Sequence, residues 1–180
     1  QCNTCYVCQA NGEECSSWST GEVEPFGLSV MSSRLLVTPG WSGKPLLLFT
    51  AEGVELSRVQ LPSDMEPLHA VQTPNGTYIV CHYEPRPGVS EVDEAGHVVR
   101  TYTGQLELGW PYHMAWCGSR LLLADYGKRC ILLLTADLKL DRVLLTDELD
   151  ELGEPWRLSY NDNSRRLAVG TSSGVIKLYQ

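Results

Sequence analysis

A proline opens four blocks of this chain, and the blocks are nearly equal in length. The openers are Glu24-Pro25, Glu66-Pro67, Trp110-Pro111 and Glu154-Pro155, and successive prolines lie 42, 44 and 44 residues apart. Two further landmarks keep the same period. One reads Arg34-Leu-Leu-Val-Thr38, Thr77-Tyr-Ile-Val-Cys81, Arg120-Leu-Leu-Leu-Ala124 and Arg166-Leu-Ala-Val-Gly170. The other reads Pro45-Leu-Leu-Leu-Phe49, Gly88-Val-Ser-Glu-Val92, Cys130-Ile-Leu-Leu-Leu134 and Gly174-Val-Ile-Lys-Leu178. These runs are short, aliphatic and bounded by turn formers, as buried strands are.

Turns at Ala51-Glu-Gly53, Glu94-Ala-Gly96 and Ala136-Asp-Leu138 lead to fourth strands at Val54–Val59, His97–Tyr102 and Lys139–Leu144. A unit of about 40 to 45 residues built from several short strands is the mark of a β-propeller blade. The predicted class is therefore all-β, a propeller of about four blades with partial blades at both ends. Residues 24–65, 66–109 and 110–153 are whole blades, and 154–180 is a partial one. Residues 1–23, rich in cysteine, end a preceding blade: Thr4–Val7 and Glu14–Trp18 flank the Asn11-Gly12 turn as its third and fourth strands. The acidic stretch Thr146–Leu152 is read as a loop or a single helical turn.

An open edge strand invites pairing, so split blades need completing. Three arrangements would do so. The chain is a piece of a longer, six-bladed protein, to which its leading Gln1 also points. Or it closes as a four-bladed ring, with Glu14–Trp18 supplying the last strand of the final blade. Or strands exchange between molecules, which builds a self-assembling or filamentous subunit.

The formal net charge is −8. That disfavours nucleic acid and anionic membrane surfaces as partners, since both need clustered Lys and Arg. Seven cysteines point to an oxidising compartment. Cys2, Cys5, Cys8 and Cys15 are disulfide candidates, with Cys8 and Cys15 facing each other across the hairpin. An odd total leaves one thiol free or bonded to another chain. Cys81, Cys117 and Cys130 fit as small apolar core residues. Asn75-Gly76-Thr77 is an N-glycosylation sequon on a predicted hairpin. Cysteine density and sequon together predict a secreted, extracellular protein with an N-linked glycan at Asn75.

The stretch from Arg120 to Leu134 carries a more specific pattern: an apolar strand, Ala124-Asp125, a short polar turn ending in Arg129, and a second apolar strand. It resembles the core of an NHL repeat, and the chain as a repeat is similar to the C-terminal propellers of tripartite-motif-type proteins and of related extracellular NHL proteins. Only this blade carries the full motif. The resemblance implies a binding propeller; the ligase modules of the tripartite-motif proteins are absent, so no ligase activity follows. Asp125 is expected to tie its turn to Arg129.

His69 and His113 each stand two residues after a blade proline, with Gly27 and Arg157 at the matching places. These positions begin the innermost strands, near one mouth of the channel. Two imidazoles there would line the channel or, alternatively, hold zinc, which wants three protein ligands and an open position. Glu24, Glu66 and Glu154 lie near in sequence. A channel-centred metal-dependent lyase or hydrolase is the enzymatic alternative. His82 and His97 are read as exposed loop or turn residues. No nucleophile motif or phosphate-cradling glycine loop is present, and no cofactor is implied. Trp110 and Trp156 flank blade prolines, and Trp41 sits in a loop. With His69, His113 and Arg157 they form the candidate binding face, because tryptophan is an energetic anchor at interfaces. The resulting expectation is a non-catalytic propeller that binds a protein or a copy of itself.

Overall fold

The computed structural model describes residues 3–8, 15–31, 33–40 and 44–180, with the backbone alone at 7, 8, 15 and 16. Cys2 and Trp41 lie outside the described residues, as do the side chains of Cys8 and Cys15. Strands β1 (Thr4–Cys8) and β2 (Cys15–Ser19) form a hairpin. The first four-stranded sheet contains β3 (Pro25–Met31), β4 (Arg34–Pro39), β5 (Leu46–Thr50) and β6 (Glu55–Val59). The second contains β7 (Pro67–Gln72), β8 (Tyr78–His82), β9 (Gly88–Val92) and β10 (Val98–Thr101). The third contains β11 (Pro111–Cys117), β12 (Arg120–Asp125), β13 (Cys130–Leu134) and β14 (Leu140–Thr146). A three-stranded sheet of β15 (Pro155–Asn161), β16 (Arg166–Thr171) and β17 (Ile176–Tyr179) follows. Each sheet is an antiparallel meander in chain order, and the four together are propeller blades. Between β14 and β15 lies α1 (Asp147–Asp150), a single turn whose N-cap Thr146 accepts a hydrogen bond from Leu149 N.

The middle strands are apolar on both faces because a blade is covered on both sides. In β13, Cys130, Leu132 and Leu134 pack toward the second sheet, while Ile131 and Leu133 pack toward the fourth. In β5, Leu46 and Leu48 meet the second sheet, and Leu47 and Phe49 meet Cys5 and Trp18 of the β1–β2 hairpin. The hairpin thus covers the middle strands of the first blade on the face away from the second. It does not supply the last strand of the final blade: β2 pairs with β1, and the fourth sheet keeps three strands. The reason is packing, since Trp18 sets its ring against Phe49, tilted by 47° with centroids 5.9 Å apart. The far face of the fourth sheet leaves Ile176 74% and Leu178 71% exposed.

Turns that close the third and fourth strands need a left-handed residue. Gly53 and Gly96 supply it at φ 84° and 86°, and Leu138 takes the same place at φ 59°, its side chain fully buried. At Gly96 there is also no room for a side chain, because a Cβ would come within 1.8 Å of the Gln60 carbonyl oxygen. Gly96→Ala is expected to destabilise the fold by about 2 kcal/mol or more through combined clash and left-handed strain. Urea denaturation of the two proteins checks this.

Candidate functional site

Each inner strand opens with the same irregularity. Pairing skips a residue after the proline, between Pro25 and Gly27, Pro67 and His69, Pro111 and His113, and Pro155 and Arg157. Proline has no N–H for the ladder, so a bulge at this point is the ordinary outcome. The bulge places two side chains. The residue after each proline is Phe26, Leu68, Tyr112 or Trp156. The next, Gly27, His69, His113 or Arg157, faces the neighbouring blade.

The second set forms a seam. Met114 N donates to His69 Nδ1 at 3.3 Å, and Leu158 N donates to His113 Nδ1 at 3.3 Å. In the first blade the equivalent residue is Gly27, and Thr38 Oγ1 takes over, accepting from Ala70 N at 2.9 Å. The His69 and His113 rings stack with centroids 3.8 Å apart and planes 23° apart. Nitrogen lone pairs lie in the ring plane, so stacked rings do not aim them at one point, and both Nδ1 atoms are already committed. Among the described residues no group of three metal-ligating side chains forms. Burial pushes His69 down to about 4; Arg157 adds to this, and the Leu28 backbone opposes it. Burial first, then the His69 and Arg157 charges, push His113 down to about 2. Both rings are neutral acceptors at neutral pH.

Three of the first set, Phe26, Tyr112 and Trp156, form a platform at the channel mouth, while Leu68 is buried in the core. Tyr112 lies 5.9 Å from Phe26 and 5.1 Å from Trp156 between ring centroids. Tyr126 bridges Trp110 at 5.6 Å and Trp156 at 6.0 Å, and Tyr83 stands 5.1 Å from Trp110. Phe26, Tyr83, Trp110 and Trp156 remain 37–39% exposed. The Arg157 guanidinium lies 5.1 Å from the Tyr112 centroid and 6.0 Å from that of Phe26. Trp110 and Trp156 therefore share one surface with Arg157, above the stacked histidines. Phe26, Tyr83, Tyr112 and Tyr126 belong to it too, and the sequence reading passed over them. The repeat held a signal for two: the residue after every blade proline is large and apolar.

Asp125 fixes Trp110. Its buried carboxylate accepts from Gly109 N at 2.8 Å, Trp110 N at 2.8 Å and Lys128 N at 3.0 Å. No bond from Arg129 to Asp125 forms among the described residues; the carboxylate holds its turn through Lys128 N instead. Arg129 instead reaches Glu154 at 3.1 Å and Asp147 at 3.4 Å. His82, expected on an exposed loop, is buried on β8 and hydrogen-bonded to Ser90 Oγ at 2.9 Å and the Glu84 carbonyl at 3.1 Å. His97 is an exposed turn residue beside Asp93. Cys81, Cys117 and Cys130 are free thiols, and burial pushes Cys81 and Cys130 up to about 12. Cys5 is buried against the first blade, and the β1–β2 ladder sets Cys8 opposite Cys15. At the opposite end of the blades a cleft of about 530 Å³, lined in part by Met31, Pro74 and Trp116, lies beside the exposed Asn75.

No protein-family model matches the sequence, and no curated protein matches it. Solved structures do. The chain is similar to virginiamycin B lyase from Staphylococcus aureus, with a TM-score of 0.68 at 16% identity over 99% of this chain and 63% of that one. It is also similar to a protein of unknown function from Bacteroides caccae, with a TM-score of 0.63 at 14% identity over 99% and 69%. BamB from Moraxella catarrhalis gives 0.59 at 14% identity over 85% and 42%. The chain spans less than two thirds of the length of the lyase and of BamB. Likeness at these identities shows the shared fold, the β-propeller.

Two outcomes follow from the seam and the carboxylate. The unfolded chain protonates its histidines as pH falls below about 6.5, while the folded chain resists. The unfolded state then binds more protons, so stability drops from about pH 6.5 toward 4 for His69 and toward 2 for His113, by about 1 kcal/mol per ring at pH 5.5. A His69→Asn/His113→Asn variant, whose amide oxygens replace Nδ1, should show a flatter melting temperature between pH 7.5 and 5.5. Asp125→Ala strands three backbone donors and is expected to cost on the order of 3 kcal/mol, measured by urea denaturation.

Proposed function

We propose that this propeller is a non-catalytic protein-binding module whose partner docks on the aromatic mouth. The observation that carries this is the cluster of Phe26, Tyr83, Trp110 and Trp156, each more than a third exposed and each held by neighbouring rings. Rigid, half-exposed aromatics lose little side-chain freedom on binding and remove much apolar surface from water. The histidines beneath them serve as the seam, and no step of chemistry is assigned to them.

The protein is read as extracellular. Cys8 stands across the ladder from Cys15, which supports a disulfide, and Asn75 is exposed in the β7–β8 turn, which supports a glycan. That turn is at the end away from the aromatic mouth, so a glycan there leaves the mouth uncovered. An NHL-type assignment rests on the third blade and its Asp125. Self-association is the second form of the reading, favoured by the bare Ile176 and Leu178 on the fourth sheet.

The test is photo-crosslinking with p-benzoyl-phenylalanine placed at position 110 or, as a control, at Ser119 in the β11–β12 turn of the opposite end. A protein captured from position 110 and not from 119 is the expected result. A product at twice the chain's mass would identify the partner as another copy. Equal capture from both positions would overturn the assignment of the face.

A further inference from the structure

The aromatic mouth already holds a cation. Arg157 takes the place that His113 and His69 fill in the preceding blades, but a guanidinium has no lone pair to accept a backbone N–H. It turns over Tyr112 and Phe26 instead, 5.1 and 6.0 Å from their centroids, and one of its nitrogens donates to the Trp156 carbonyl at 3.2 Å. The ring faces of this mouth thus provide a seat for a guanidinium. Trp110 and Trp156 keep part of their surface open beside that seat.

Carboxylates outnumber cations around it, although Arg86, Lys128 and Arg129 are exposed at the same end and Arg129 already pairs with Glu154 and Asp147. Tyr83 N donates to the Glu66 carbonyl, which sets the half-buried Glu66 across the backbone from Tyr83, and the exposed Glu84 follows Tyr83 directly. Neither carboxylate forms an ion pair among the described residues. Glu154 accepts the Tyr126 hydroxyl hydrogen at 2.9 Å at the edge of the ring cluster. Glu107 and the acidic turn α1 lie in loops at the same end. The chain as a whole carries −8, so its field draws in positively charged partners.

We infer that the partner presents a basic segment, and that its arginine side chains lie on Trp110 and Trp156 as Arg157 lies on Tyr112. Arginine is favoured over lysine because its planar group stacks on a ring while its edge still reaches a carboxylate. The inference rests on the reading of this face as a protein-docking surface and adds the charge of what docks.

Fluorescence anisotropy with labelled decapeptides of alternating Gly-Arg, Gly-Lys, Gly-Glu and Gly-Ser tests it. The arginine peptide is expected to bind most tightly, the lysine peptide more weakly, and the other two not at all. Trp110→Leu should weaken the arginine peptide about tenfold, whereas Ser119→Ala should leave it unchanged. Glu66→Gln/Glu84→Gln, a change of charge that spares the rings, should weaken it and reduce its salt dependence. The inference is overturned if the glutamate peptide binds as tightly as the arginine one, or if neither the Trp110 nor the glutamate variant changes arginine-peptide binding. Capture of a protein from position 110 with no binding of the arginine peptide would overturn the basic segment and leave the docking face standing.

Discussion

The hydrogen that proline lacks organises this molecule. At the head of β3, β7, β11 and β15 the strand cannot donate to its neighbour, and pairing resumes only at the second residue beyond. A bulge of this kind re-aims side chains without interrupting the sheet. Phe26, Tyr112 and Trp156 go to the mouth and His69 and His113 to the seam, while Leu68 stays in the core and Arg157 turns out over the rings. The aromatic platform and the stacked histidines are therefore two products of one backbone event, repeated blade by blade.

Burial on both faces of each sheet does the rest. Ile131 and Leu133 serve one neighbour and Cys130, Leu132 and Leu134 the other, so the apolar run of β13 is continuous and not alternating. The backbone bonds at Ala70, Met114 and Leu158 then set how adjacent sheets are angled. Thr38 performs in the first seam what imidazoles perform in the next two. The geometry of the acceptor is kept while its chemistry changes, which marks these histidines as structural parts of the seam.

The repeat was legible because proline, strand and turn each recur with one period, and β9, β13 and α1 fall where their residues predict. The role of the hairpin was less so. A free fourth strand in the sequence fits either end of the arc equally well, and only the packing of Trp18 on Phe49 distinguishes them. Trp110, Trp156 and Arg157 stood out by residue type, whereas Tyr83 and Tyr126 joined them only through loops whose approach no periodicity encodes. Asp125 was legible as an acceptor, but its donors, Gly109 and Trp110, lie in the preceding connection and are brought near by the close contact of Gly109 with Gly127. His82 misled because it has no counterpart in the other blades, and Ser90 on β9 is what lets it be buried.

The platform draws its rings from different blades: Phe26 from the first, Tyr83 from just beyond β8 of the second, Tyr112 from the third and Trp156 from the fourth. Blades are otherwise joined in series, each to its neighbours. A ligand seated on this mouth touches several of them together and acts as a clasp, turning a row of separate hinges into one stiff body. Occupancy would then raise the stability of seams the ligand never contacts, by linkage, and the propeller would register its partner as a change in rigidity as well as in contact.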